Sequence, residues 1–461
     1  MIFQDSTGKR WRKVKVVFWI GFLMLILFIT LVMLNQYEVI KLPWINEFTK
    51  QLYHVIKNVF IAYLFFTIVV GFFRMSIIIF FCLRHKRKNN ILKDYYAFNK
   101  INFRTFHPSV TVIIPVYNEE VVIQRTIKSI LKSKYPIAEV LIIDDGSTDK
   151  TAKIATKMSS LFSKVKTIKK QNGGKASALN LGITKAIGDI VITIDADTLF
   201  DKYTISHLVK NFSDPRVAAV SGNCKIGNKI NQISLWQHIE YVTANQLEKR
   251  AFEELNCITV VPGSNSAWRK SVVMELGYYH NDTLAEDSEL TIRILNAGYK
   301  IIYADQAISY EECPETVRDF IKQRSRWSYG ILQVAWKHKR NIIHSSNKTL
   351  KYFAMPSLLF SYLLLLTSPL IDIIFIIALL SGTSSIYYFA LLFYLTDFLN
   401  SFIAFKIGKE KMKPLVWVVF QRIGYRYLLA YVTWTSIIRV LRGNEVGWRK
   451  LNRSGNNIYK V

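Results

Sequence analysis

Asp189-Ile190-Val191-Ile192-Thr193-Ile194-Asp195-Ala196-Asp197 is the stretch on which the reading of this chain turns. It is apolar, alternating and rich in β-branched residues, the composition of a strand buried in a sheet. It ends on two carboxylates spaced two residues apart. On a continuing strand such residues point to one face, so Asp195 and Asp197 are expected to converge where the strand stops. Paired hard oxygen ligands that leave coordination positions open suit Mg²⁺ or Mn²⁺ carried on a diphosphate.

Upstream, strand patterns at Val110 to Pro115, Glu139 to Ile143 and Val165 to Ile168 alternate with helix patterns over 119–133, 148–160 and 174–187. This order predicts an α/β domain on a mostly parallel sheet with helices on both faces. Ligands bind such sheets beyond the carboxyl ends of the strands. Three polar clusters fall there: Tyr117-Asn118-Glu119, Asp144-Asp145, and Asp195 with Asp197. One cluster is ordinary turn chemistry; three in register predict a site. Gly173-Gly174-Lys175 adds a glycine-opened helix start and a lysine, which favour an anion. Alone it is a loop signal, and it lacks the Walker A spacing of an ATPase.

Downstream, Glu286-Asp287 precedes a helix expected over 288–296. Acids in a first turn commonly serve the helix dipole; the alternative is a carboxylate base. Gln323-Arg324-Ser325-Arg326-Trp327 lies in a cationic, tryptophan-bearing stretch over 318–340 that suits a membrane interface. Its arginines also suit a diphosphate, and its tryptophan the face of a sugar ring.

Membrane-length segments flank this island. Residues 16–34 are uncharged and long enough to cross a bilayer, and too long for a signal peptide without a cleavage site. Further spans are expected at 59–83, 353–380 and 386–405, and 415–441 carries Arg422, Arg426 and Arg439. Basic clusters before the first span (Lys9, Arg10, Arg12, Lys13, Lys15), after the second (Arg84, Lys86, Arg87, Lys88) and after the fourth (Lys406, Lys409, Lys411, Lys413) put the central region in the cytosol, beneath the plasma (inner) membrane. A fifth crossing would place Arg442, Arg449, Lys450 and Arg453 outside, so 415–441 is expected to be interfacial or re-entrant. The chain thus divides into a membrane region (1–90), a cytosolic domain (91–313), interface helices (314–350) and a second membrane region (351–461). Within the second span, Arg74 is expected to face water or a cavity, or to pair with Asp372 or Asp397. The net charge of +28 lies largely beside spans, where it attracts anionic lipid of the bilayer rather than nucleic acid. Cys82, Cys224, Cys257 and Cys313 have no metal-ligand spacing and are expected to be structural.

Asp195-Ala196-Asp197, Glu286-Asp287 and Gln323 to Trp327 together resemble the processive, membrane-integrated members of glycosyltransferase family 2: cellulose, hyaluronan, chitin and poly-N-acetylglucosamine synthases. The motifs cover 114–327. The resemblance implies a GT-A-like fold, a UDP-sugar donor, Mg²⁺ or Mn²⁺, and a growing polysaccharide as acceptor. It puts Asp144 and Asp145 at the uracil and ribose, and Tyr117, Glu119 and Lys175 by the nucleotide. Asp195 would touch the nucleotide and Asp197 would ligate the metal. Asp287 would be the base, beside Glu286; the family commonly has Thr-Glu-Asp where this chain has Ala285-Glu286-Asp287. Gln323, Arg324 and Arg326 would hold the diphosphate. Trp327 would stack on the acceptor, near Pro262 to Ala267 with Ser264. Pro314-Glu315-Thr316 and the tail, Gly447 to Leu451 with Arg453-Ser454-Gly455, look most like bacterial poly-β-1,6-N-acetylglucosamine synthases. That implies UDP-N-acetylglucosamine, a β-linked biofilm exopolysaccharide translocated between the spans, and a small membrane accessory subunit. Three alternatives stay open: a hyaluronan, other capsule or β-glucan synthase; a single-sugar transferase to a lipid carrier, against which Gln323 to Trp327 argues; and a non-enzymatic scaffold, which would lack Asp197, Asp287 or Arg326.

Overall fold

Eight strands in one sheet carry the centre of the computed structural model: β1 Val110–Val116, β2 Glu139–Asp144, β3 Val165–Lys169, β4 Ile190–Thr193, β5 Thr198–Phe200, β6 Val217–Ile226, β7 Ser266–Arg269 and β8 Lys300–Glu311. Their spatial order is β3-β2-β1-β4-β7-β6-β8-β5. The structure describes residues 2–3, 11–17, 43–98, 106–380, 384–443 and 453–457, with isolated residues between 20 and 31. Most of the first expected span and the tail stretch 447–451 lie outside the described residues.

The first half of the sheet is parallel as expected, with β1 between β2 and β4 and β3 outside β2. The second half is mixed: β7 runs antiparallel to β4 and β6, β6 and β8 are parallel, and β5 closes the far edge antiparallel to β8. Side chains alternate between two cores. Val110, Val112, Ile114 and Val116 face one, with Ile123, Ile127 and Met158 from the helices Ile123–Leu131 and Thr151–Leu161. Ile113 faces the other, with Leu179, Ile183, Leu290 and Ile294 from the helices Lys175–Lys185 and Glu286–Asn296. Helices therefore cover both faces.

The opening stretch departs from its expectation. β4 stops at Thr193, and Asp195 to Thr198 form a turn closed by the Thr198 amide donating to the Asp195 carbonyl at 3.1 Å. The two carboxylates are therefore presented by a turn and not by one strand face. The cause is topological. On one side of β4 the pairing ends where Thr193 meets Ser266, and the chain's next strand, β5, belongs at the opposite edge of the sheet.

Contacts divide the chain into two units, Phe3–Ile77 with Ile437–Val446, and Ile78–Ser436 with Gly447–Val461. The second holds the sheet. Among the described residues three stretches are long and apolar enough to cross a membrane: Ile61–Asn89, Leu350–Ile373 and Leu391–Gly408. The 415–441 stretch is not one of them. It is broken into a 3₁₀ turn (Lys413–Trp417), a short helix (Val418–Ile423) and the helix Tyr425–Arg442. Asp372 and Asp397, the carboxylates expected as partners for Arg74, both bind Arg422, at 3.3 and 3.2 Å.

Candidate active site

Loops at the strand ends are tied to one another before they meet any ligand. After β1, Asn118 takes a left-handed conformation (φ 56°), which asparagine tolerates better than most residues. Its amide donates to Ser147 Oγ at 2.9 Å, and its Oδ1 accepts from the Thr148 amide at 2.7 Å. The Glu119 amide donates to Thr151 Oγ1 at 2.6 Å. These bonds hold Tyr117 and Glu119 on a cleft of about 280 Å³.

Asp144 and Asp145 part company. Asp144 Oδ1 accepts from the Ser147 amide at 3.0 Å, closing the turn after β2, and the residue is not part of the cleft wall. Asp145 is in the wall, with its carboxylate already engaged. It accepts from Gly173 N at 3.0 Å, Gly174 N at 2.8 Å and Lys170 Nζ at 2.5 Å. It organises the glycine loop, where Gly174 sits at φ 85° and delivers Lys175 to the start of its helix.

Lys175 Nζ lies 2.5 Å from Asp195 Oδ1 and 3.7 Å from Glu286 Oε1. Burial opposes its charge, but Asp195 and Glu286 outweigh burial and hold the ammonium above the ordinary lysine range. Asp197 instead pairs with Arg453. Burial pushes the Asp197 carboxyl up, Arg453 opposes that, and Asp195 and Glu312 add to it. Among the described residues no three His, Cys, Asp or Glu side chains converge as a metal cage. The donors present, Asp195 and Asp197 on the cleft wall, fit a hard divalent ion held by one or two carboxylates and completed by phosphate oxygens. The guanidinium on Asp197 shows that this carboxylate accepts a cation.

A second cavity, about 310 Å³, shares Lys175, Asp195, Arg326 and Arg453 with the first. Its wall holds Ser264, Glu286, Asp287, Gln323 and Trp327. Glu286 and Asp287 form the first turn of their helix. Asp287 Oδ2 accepts from the Gly263 amide at 3.3 Å and Oδ1 from the Ser288 amide at 2.8 Å. A Cβ on Gly263 would lie 2.8 Å from Lys175 Nζ, so any side chain there would push the ammonium aside. The Glu286 carboxyl is raised by burial, against Lys175, with Asp287 adding to the rise. Below them the fully buried Glu289 binds Arg293, Lys337 and His338 at 2.7, 2.8 and 3.0 Å. This locks the Glu286–Asn296 helix to the helix Val317–Lys337, which carries Gln323 to Trp327. Gln323 Oε1 is buried without a hydrogen-bond partner, an acceptor left for a ligand.

Arg324 and Arg326 do not act as a pair. Residues two apart on a helix are about 200° apart around its axis; both arginines line the second cavity, and only Arg326 also reaches the first. Arg324 forks onto Glu240 at 3.1 and 2.7 Å, and lies 4.4 Å from the Trp327 ring centroid. Tyr425 donates its hydroxyl to the same Glu240 carboxylate. The Arg324 guanidinium, expected at the diphosphate, is held by bonds within the protein.

Sequence reasoning missed Glu240, Lys249, Glu311 and Tyr425, and noted Arg453 only as a topology charge and as part of a tail likeness. Lys249 and Glu311 line the second cavity. Burial pushes the Lys249 ammonium down to about 8, opposed by Cys224, Asp287 and Glu311. Burial pushes the Glu311 carboxyl up to about 7, with Asp197 adding to the rise. The Cys224 thiol donates to Glu311 Oε2 at 3.1 Å, and all four cysteines are buried and free. None of these residues stands at a spacing that marks it.

A parallel half-sheet ending in a cation-studded cleft, beside a cavity carrying helix-borne carboxylates, is the arrangement of a GT-A-like glycosyltransferase. Residues 111–277 match the model "Glycosyl transferase family 2", so this part of the chain is a glycosyltransferase domain of that type. It is 29% identical over 367 residues to a probable glycosyltransferase, YdaM, of Bacillus subtilis (strain 168), covering 75% of this chain and 87% of that one. It is 34% identical over 222 residues to the poly-beta-1,6-N-acetyl-D-glucosamine synthase of Staphylococcus aureus (strain COL), covering 48% of this chain. The chain spans about half, 54%, of that synthase's length. Among solved structures, the mannosyltransferase PcManGT of Pyrobaculum calidifontis, in complex with GDP-Man and Mn²⁺, superposes with a TM-score of 0.47 at 22% identity, covering 76% of this chain and 99% of that one.

Proposed function

We propose that the protein is an inverting, processive transferase that polymerises a UDP-sugar, UDP-N-acetylglucosamine above others, into a β-linked poly-N-acetylglucosamine. The observation that carries this reading is the junction of the two cavities at Lys175, Asp195, Arg326 and Arg453. One cavity presents Asp197, the other Asp287, with cations between them. A leaving diphosphate needs positive charge and an attacking hydroxyl needs a base, and the junction separates these tasks by one shared wall.

In this reading Tyr117, Glu119 and Asp145 border the nucleotide, and Lys175 and Arg326 hold the diphosphate. A divalent ion on Asp197 would supply further charge for the leaving group. Asp287 takes the proton of the acceptor hydroxyl. The oxygen then bonds to the anomeric carbon as the bond to the diphosphate breaks, inverting the configuration. Trp327 stacks on the acceptor and Ser264 hydrogen-bonds it, while Gln323 stands with the arginines that hold the diphosphate. The likeness to the S. aureus synthase supports the choice of sugar.

The same reading places the protein as a multi-pass component of the plasma membrane with the catalytic domain in the cytosol. Both ends of the 415–441 stretch favour a re-entrant or interfacial course. Before it, Glu410 pairs with Lys225 of β6 at 2.6 Å; after it, Arg453 meets Asp197.

The test is product analysis of the detergent- or disc-embedded protein with Mg²⁺ or Mn²⁺, given radiolabelled UDP-N-acetylglucosamine, UDP-glucose and UDP-glucuronate singly and in pairs. Long polymer from UDP-N-acetylglucosamine alone is expected. Polymer only with two donors would replace the reading with a hyaluronan-like one. One sugar on extractable lipid would remove processivity and keep the catalytic assignments.

A further inference from the structure

Asp197 already has a cation, and the segment that brings it is built into the domain. Arg453 Nη1 donates to the Glu312 carbonyl at 2.9 Å while its other end pairs with Asp197. The Glu312 carboxylate accepts from Ser454 N at 2.7 Å and Gly455 N at 3.1 Å. Arg125, on the helix Ile123–Leu131, donates to the carbonyls of Gly455 and Asn457 at 2.7 and 2.8 Å. Asn457 Nδ2 donates to the Tyr310 carbonyl at 3.0 Å. Its side chain packs so closely that a Cβ on Gly227 would lie 2.2 Å from Asn457 Oδ1. Residues 453–457 are thus a strap laid from the end of β8 to the Ile123–Leu131 helix, and most of these bonds use main-chain groups.

A buried carboxylate without a counter-charge is costly, and the described residues give Asp197 one cation, Arg453. A guanidinium and a hard dication on one carboxylate repel each other in a poorly solvated site, so each weakens the other's hold. We propose that Arg453 is the resident counter-cation of Asp197 and that the 453–457 strap and a divalent metal compete for this carboxylate, so that metal binding releases Arg453. The proposal rests on the reading of Asp197 as a metal ligand. Metal uptake and the position of the C-terminal strap are then two readings of one equilibrium, and each ligand weakens the other by the same factor.

The test is a Mn²⁺ titration without nucleotide on the full-length protein in detergent, followed by calorimetry and by the electron paramagnetic resonance signal of free Mn²⁺. Arg453→Ala should bind Mn²⁺ about tenfold more tightly than the wild type, within the usual range of coupling between sites. Arg125→Ala, remote from Asp197, should tighten binding in the same direction by a smaller factor. In the wild type, Mn²⁺ should speed trypsin cleavage after Arg453. Equal or weaker Mn²⁺ binding by Arg453→Ala overturns the exchange. An unchanged Arg125→Ala, or cleavage indifferent to Mn²⁺, overturns the part played by the strap. No Mn²⁺ binding by any of the three proteins, either alone or with UDP added to supply phosphate oxygens, overturns the metal reading of Asp197, and the exchange with it.

Discussion

Asp195 and Asp197 are two residues apart, yet the sides of the turn they occupy are assembled differently. The Asp195 side is made by Lys175, the loop that Asp145 holds, and Glu286 at a helix start. The sheet order brings all of these together. The Asp197 side is completed by Arg453 and the strap around Glu312, which come from the end of the chain. A wall built from core elements is preorganised by packing. A wall built from a hydrogen-bonded strap can open without unfolding that core, because few buried apolar contacts hold it.

The largest expected effect lies where the Asp195 side reaches the chemistry. Asp287→Asn removes the base and keeps the shape, so transfer should fall by about 10²–10⁴-fold while UDP binding, read by calorimetry, stays within a few-fold. Near-normal polymer yield would sink the base assignment.

Asp197→Asn and Asp195→Asn separate the two sides directly. Asp197→Asn should lower the metal-stimulated rate by about 10²-fold and leave thermal stability near the wild type. Asp195→Asn leaves Lys175 with Glu286 alone at 3.7 Å. Because the pair is partly exposed, the expected loss is about 1–2 kcal/mol, less than for a fully buried pair, read as a lower Tm. The opposite pattern would break the comparison.

Trp327→Ala should impair acceptor engagement about tenfold more than donor hydrolysis, the scale of a lost ring contact. Equal loss of both would mean a folding role, through the Arg324 stack.

The last effect, confined to stability, is a pH dependence. Glu311 has its folded carboxyl pushed up to about 7 from 4.5, so the folded state binds its proton more tightly than the unfolded chain does. Its contribution is full below the unfolded value and is lost as pH rises through about 7. In metal-free protein, Glu311→Gln should therefore gain stability relative to the wild type above pH 7, by up to about 3 kcal/mol, and gain little at pH 4. A constant difference across that range would remove the effect.

Much of the donor half was legible because its signals are local. The apolar alternation of Val110 to Val116 and Glu139 to Asp144, with helices between, predicts parallel strands, and β1, β2 and β4 pair so. The expected polar clusters lie at those strand ends, and Tyr117, Glu119, Asp145 and Lys175 line one cleft. Two differences between sequence and structure have physical causes. Asp195 and Asp197 were read along a strand because β-branched alternation runs to Ile194, whereas pairing with β7 stops at Ser266. Asp144 and Asp145 look equivalent in the chain, and only hydrogen bonding distinguishes the residue that closes a turn from the one that holds the glycine loop.

By itself the sequence determined the alternating elements, the apolar stretches long enough for a membrane, and the carboxylates and arginines available for chemistry. These depend on neighbours a few residues away, through pleat and helix period. Tertiary structure alone decided which groups meet: Arg324 with Glu240 and Tyr425, Asp372 and Asp397 with Arg422, and Arg453 with Asp197. An ion pair is set by distance in space and by the burial around it, and neither is encoded at any fixed spacing along the chain.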